Sequence, residues 1–242
     1  GDPKMATKQI ISKISDFKSI SWITSLLICP LSSSRCTLFT GQNRLISSKT
    51  IDYPASRFPI PDRDTLPKEI KDQMREVEAK GGFLPNVFKT LSHRPAEFKA
   101  FFSYYDALME KETGNLTKAD KEMIVVATSA ENNCIYCVVA HSALHRIYSN
   151  NKILADQITI NWRCSDLGDR EKAILEFAMD VCACKAITDE HFKRLQEHGL
   201  DKEDAWDIGA IVGLFALSNR MAHVTNMRPN DEFYLIGKAK KQ

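Results

Sequence analysis

The ten residues Ile208–Leu217 (IGAIVGLFAL) carry no polar side chain, so a helix formed by them is apolar on every side. Ten residues are too few to cross a bilayer, which needs ~20. The small residues Gly209, Ala210, Gly213 and Ala216 permit close helix–helix approach. The segment therefore predicts a central helix, from Asp201 to about Met227, buried by others packed around it, with Trp206 in the core. Nearly every other stretch past Pro67 also repeats at helical period. Pro67–Ala79 has proline in its first turn and Gly81-Gly82 as its stop. Further helices are expected over Pro95–Glu110, Thr117–Glu131, Cys134–Tyr148 and Asp169–Cys184, and from Thr188. Phe98, Phe101, Phe102, Tyr105 and Met109 make a wide stripe on one of them, read as core packing. Strand-like alternation is nowhere sustained, so the fold class is all-α, a bundle of about seven or more helices. Leu116-Thr-Lys-Ala-Asp120 and Leu200-Asp-Lys-Glu-Asp204 each open an apolar helix, 84 residues apart, a faint sign of two related halves.

Charge divides the chain. Residues 1–50 hold seven basic and two acidic residues, against 26 and 29 in residues 51–242, so the small net charge of +2 comes from the N-terminal stretch. A mildly acidic body lacks the basic face that counterion release at nucleic acid requires, and no nucleic-acid partner is expected. Gly1 to Lys4 read as a cloning remnant ahead of an initiating Met5. Met5 to Thr50 contain ten Ser, six Lys or Arg and one acid, Asp16. That composition is expected of a targeting segment, with the mitochondrial matrix as destination. Ile20–Ile28 competes as the core of a secretory signal, but Cys29-Pro30-Leu31 supplies no small-x-small cleavage site. A retained arm on a protein kept in the cytoplasm is the remaining alternative. Pro54, Pro59, Pro61 and Pro67 deny regular structure to a linker over residues 51–66, leaving residues 67–242 as the helical domain. No membrane span is expected.

One cluster carries chemistry. Cys134, Cys137 and His141 recur at i, i+3 and i+7, on one helix face. With Asn132 or Asn133 as cap, Cys134 falls in the first turn, where unpaired N–H groups and the helix dipole favour a thiolate. His141, four residues after Cys137, is placed to take or hold its proton, as a redox dithiol needs. Three other readings compete: structural zinc, a permanent disulfide, and buried cysteines without a role. A straight helix spreads Cys134 to His145 over ~16 Å, too far for one tetrahedral zinc. A permanent disulfide leaves His141 unused. Five further cysteines, Cys29, Cys36, Cys164, Cys182 and Cys184, show that the residue type is not rare here. Cys182 and Cys184 are read as packing, His145 as solvated or capping, and Glu131 as solvent-facing. No nucleotide-binding or metalloprotease motif is present, and neither a cofactor nor a metal is expected.

Glu122 extends the cluster to E-x11-C-x-x-C-x3-H, and the run LTKADKEMIVVATSAENNCIYCVVAHSALHR resembles the alkyl hydroperoxidase D-like core of the carboxymuconolactone decarboxylase superfamily. Gly82 to Phe88 and Leu200 to Phe233 resemble its peroxidase-related subgroup, so the similarity covers about residues 57–236. The resemblance implies an alkyl hydroperoxidase D-like helical bundle forming homo-oligomers, typically trimers or hexamers. It implies catalytic roles for Glu122, Cys134, Cys137 and His141: Glu122 draws protons through His141, Cys137 is the inner thiol, and Cys134 is the outer, more accessible one. It further implies a hydroperoxide substrate and a dithiol reductant, lipoyl or a thioredoxin-type protein. His223 and Asn219 resemble pocket-lining positions, although packing or helix-end bonding is the simpler reading. In the enzyme that names the core a second histidine lies between the cysteines, where this chain has Tyr136, which puts a two-histidine relay in doubt. Two other functions compete. One is a non-catalytic assembly subunit docked through the N-terminal arm. The other is a reaction on a small lactone, for which paired cysteines are not required.

Overall fold

The computed structural model describes residues 54–238, and the expectations for residues 1–50 lie outside them. Among the described residues the chain forms nine α-helices and no strand. They are α1 Lys68–Gly81, α2 Asn86–Leu91, α3 Pro95–Met109, α4 Lys118–Glu131, α5 Ile135–Tyr148, α6 Leu154–Asn161, α7 Asp169–Cys182, α8 Asp189–Gln196 and α9 Lys202–Thr225. Two of these, α2 and α6, were not expected; both are short and open without a side-chain cap, whereas α8, no longer than α6, opens on a Thr188 capping box. The proline-rich stretch holds one regular piece, a 3-10 turn at Arg63–Thr65, where the Asp62 side chain accepts from the Asp64 N–H.

The two related helix starts are two capping boxes. In α4 the Thr117 hydroxyl accepts from the Asp120 N–H at 3.1 Å, while the Asp120 carboxylate accepts from the Thr117 N–H at 2.8 Å. In α9 Asp201 and Asp204 exchange the same pair of bonds at 3.0 and 2.8 Å. Each box satisfies N–H groups that a helix start otherwise leaves open.

The core is built on α9, which packs against α3, α4, α5, α7 and α8. Ile208, Ile211, Leu214 and Phe215 are buried there. The helix is not buried all round, however. Gly213 is exposed, Leu217 is 53% exposed, and Trp206, expected in the core, is 75% exposed. Its neighbours cover one face, and the apolar segment continues onto the other. Phe88 of α2 stacks on Phe102 of α3 with ring centroids 4.3 Å apart, and Phe98 meets both. The C-terminal segment is tied down by the buried Arg146 of α5, whose guanidinium donates to the carbonyls of Phe233 and Ile236, each at 2.9 Å.

Candidate active site

The site begins with the way α4 stops. Asn133 adopts a left-handed φ of 56°, which asparagine tolerates better than most residues. Its N–H bonds back to the Ala130 carbonyl at 3.0 Å, and the Cys134 N–H bonds to that of Ser129 at 2.9 Å. The backbone of Cys134 thus closes α4 while its side chain opens α5: Cys134, not an asparagine, is the N-cap, and its Sγ accepts from the Cys137 N–H at 3.4 Å. The three-residue turn folds α5 back along α4, which sets His141 beside Glu122. His141 Nδ1 and Glu122 Oε2 are 2.6 Å apart, with the carboxylate buried. That contact makes Nδ1 the protonated ring nitrogen and leaves Nε2 free. The ring is held edge-on by Phe215, centroids 4.7 Å apart.

The sulfurs of Cys134 and Cys137 lie 2.7 Å apart as free cysteines, longer than the ~2.05 Å disulfide bond. Cys134 is not the more accessible of the two, since both residues are 1% exposed. What separates them is electrostatic. The Cys134 thiol is pulled from 9.0 to about 7, first by the hydrogen bond from the Cys137 thiol, against the opposing effect of burial. The Cys137 N–H, the charge of His223 and the Asn219 amide help. Donating that hydrogen bond, and burial after it, push the Cys137 thiol well above its ordinary value. Near neutral pH the pair is poised between two thiols and a Cys134 thiolate held by a Cys137 thiol.

Residues of α9 complete the site, and sequence spacing gave no warning of the first of them. Ser218 Oγ is 3.7 Å from Cys137 Sγ, and these residues are 81 positions apart. Asn219, buried, accepts from the Asn132 amide at 2.9 Å and donates to the Ser129 hydroxyl at 2.9 Å, so its amide is locked where it favours both thiolates. His223 Nε2 holds the Asn132 carbonyl at 3.0 Å. Asn219 is packed and His223 makes a helix-end bond, as the simpler reading had it; neither lines the cavity, and both favour the Cys134 thiolate. The direct bond from His141 to Cys137 suggested by their spacing is not among the contacts of either group; Cys137 meets Cys134 and Ser218 instead.

A narrow cavity of about 30 Å³ lies against Cys137 and His141. At ~10–15 Å³ for one water, it has the room of a few oxygen atoms. Phe101, Phe102 and Tyr105 form part of its wall, so three of the five stripe residues line the site instead of merely filling the core. Tyr136, in place of a second histidine, uses its hydroxyl to accept from the Val87 N–H at 3.0 Å, and burial keeps it a neutral phenol. His145 lies in the last turn of α5 but is 2% exposed and so not solvated, and burial lowers it to about 4, so it is neutral. Glu131 is exposed, as expected. Cys182 is half-buried and receives the Asn132 amide at 3.6 Å, and Cys184 is exposed, outside the core.

Residues 95–180 match the model of the carboxymuconolactone decarboxylase family, a span that holds Glu122, both cysteines and His141 but not α9. A peroxidase-related protein from Ralstonia eutropha JMP134, described as an alkylhydroperoxidase AhpD core, is 53% identical; the match covers 78% of this chain and 100% of that one, with a TM-score of 0.76. A peroxidase-related protein from Silicibacter sp. TM1040 is 33% identical over 78% of this chain and 99% of that one, with a TM-score of 0.73. The debrominase Bmp8, 21% identical over 76% of this chain and 95% of that one with a TM-score of 0.61, shares the fold. No curated protein matches the chain.

Proposed function

The chain belongs to the carboxymuconolactone decarboxylase family, among its peroxidase-related members with the alkylhydroperoxidase core, and on that premise we propose that it is a dithiol peroxidase acting through Cys134 and Cys137. The observation that carries this reading is the unbonded thiol pair, one sulfur of which borders a narrow cavity shared with a carboxylate-bound histidine.

The steps follow from which sulfur meets the cavity. Cys137 lines it and Cys134 does not. A hydroperoxide held there loses its terminal oxygen to Cys137, whose proton passes to the Cys134 thiolate 2.7 Å away as attack begins. The O–O bond breaks, Cys137 becomes a sulfenic acid, and the proton now on Cys134 passes by way of His141 Nε2, whose ring Glu122 orients, to the departing alkoxide. Cys134, again a thiolate once its proton is released, attacks the Cys137 sulfur. Hydroxide leaves and takes from solvent the proton that Cys134 lost on ionising, to become water, and a Cys134–Cys137 disulfide remains. Two thiols and one hydroperoxide thus give one disulfide, one alcohol and one water.

Reduction proceeds by exchange with an external dithiol. Because both sulfurs are 1% exposed, a slender dithiol such as lipoyl on a flexible arm suits the access better than the broad face of a thioredoxin-type protein. The test is stopped-flow oxidation of the reduced protein by small alkyl hydroperoxides, with Cys137→Ser and Glu122→Gln alongside. Disulfide formation is expected to disappear in the first and to slow by about 10²-fold or more in the second, the usual worth of positioned acid–base help. A wild-type rate equal to that of a free thiol would refute the reading.

A further inference from the structure

The cavity of about 30 Å³ beside Cys137 holds the oxygens of a hydroperoxide and little of the carbon that carries them. A second cavity, of about 530 Å³, lies across a thin partition from it and has the volume of a small-molecule site. Neighbouring residues divide between the two spaces. Phe83 and Leu84 line the outer one and Pro85 and Val87 the inner one, while Glu232 lines the outer where Phe233 lines the inner. Phe83 and Phe233 meet edge to face, centroids 5.1 Å apart. One ring pair thus stands between the cavities, and its outer member, Phe83, is only half-buried.

The lining of the outer cavity fits an apolar acid. Leu66, Met74 and Leu84 are buried in its wall. Most of its polar groups are already engaged: Ser92 Oγ donates to the Lys89 carbonyl at 2.8 Å, Asn230 Oδ1 accepts from the Asn86 N–H at 2.7 Å, and Arg63 pairs with Glu78 at 2.7 Å. Two charges are left. Lys89 is half-buried and forms no ion pair among the described residues, while Glu232, also without one, is exposed and screened by water. The less hydrated charge is therefore the ammonium, and the group that it suits is a carboxylate.

We propose that the outer cavity is a binding site for a long-chain carboxylic acid, and that the substrate is a hydroperoxide carried on such an acid. The substrate half of this inference rests on the peroxidase reading; the binding site does not. The carboxylate lies on Lys89, the chain covers Leu66, Met74 and Leu84, and a turn of the Phe83 ring admits the peroxide-bearing part past Phe233 to Cys137. Small hydroperoxides need the inner space alone and gain nothing from Lys89.

One test needs no turnover. Decanoate is titrated calorimetrically into the reduced full-length protein, with decylamine as the charge-reversed control. Decanoate is expected to bind about tenfold tighter than decylamine, and to lose about tenfold in Lys89→Glu, the scale of one charge-assisted contact. In the second test, oxidation of the cysteine pair by linoleic acid hydroperoxide is compared with oxidation by its methyl ester, as a ratio within each protein, so that any general change in activity cancels. That ratio is expected to be about ten in the wild type, about one in Lys89→Met and lower still in Lys89→Glu. Decanoate that fails to bind, ignores the Lys89 substitution or binds no better than decylamine would overturn the site. An acid-to-ester ratio of about one, in a wild type that tert-butyl hydroperoxide still oxidises, would overturn the substrate assignment and leave the peroxidase reading intact. Failure of every hydroperoxide to oxidise the pair would sink that reading and the substrate assignment together, with decanoate binding still deciding the site.

Discussion

Cys134 does two jobs with one atom: its sulfur caps α5 and is the thiolate of the pair. A thiol whose folded pKa is lowered from 9.0 to about 7 stabilises the native state above its unfolded value, and that contribution is lost as pH falls through about 7. The ultraviolet thiolate absorbance of the reduced protein should therefore rise with a midpoint near pH 7, and the rise should be absent in Cys134→Ser. In Asn219→Leu the midpoint should move upward, because the locked amide is lost. A midpoint near 9 in the wild type would contradict this account of the pair. Cys134, Cys137 and His141 were legible in the sequence because their spacing sets them on one helix face, whereas Glu122 entered through the resemblance, with a tight Asn132-Asn133 turn able to fold its helix back toward His141. Ser218 was not legible, and Asn219 only through resemblance. Their contact with the thiols depends on how α9 crosses the hairpin, which no local spacing encodes.

At the scale of elements, α5 links the site to the end of the chain. Arg146, on the same helix as Cys137 and His141, holds the carbonyls of Phe233 and Ile236, and Phe233 lines the cavity. Arg146→Leu leaves these carbonyls without their charged donor, and the fold should lose about 2–3 kcal/mol, read by urea denaturation. The variant should also widen the cavity, so that bulkier hydroperoxides gain relative to small ones. A change below about 0.5 kcal/mol would mean that the segment is held by apolar packing alone. The long helices announced themselves through period and caps, Thr117 and Asp201 above all. α2 and α6 did not, being short and without a side-chain cap to mark their starts, as Thr188 marks that of α8. The reading of α9 as buried all round failed for another reason. Apolar composition says that a surface is to be covered, without saying whether the same chain covers it.

For the whole molecule, the bundle withdraws two sulfurs from solvent and leaves one of them a narrow, mostly aromatic approach. In the proposed mechanism burial suppresses exchange with bulk thiols, while the neighbouring sulfur supplies the resolving step without any domain movement. The stoichiometry of oxidation tests this most directly. Reduced full-length protein is titrated with a small alkyl hydroperoxide, and at each point the alcohol, the free thiols and the peptide carrying both cysteines are quantified by mass spectrometry. The account predicts one alcohol and one Cys134–Cys137 disulfide per chain at one equivalent, with Cys164, Cys182 and Cys184 still reduced. Oxidation spread over the exposed cysteines, with the buried pair left as thiols, would contradict it.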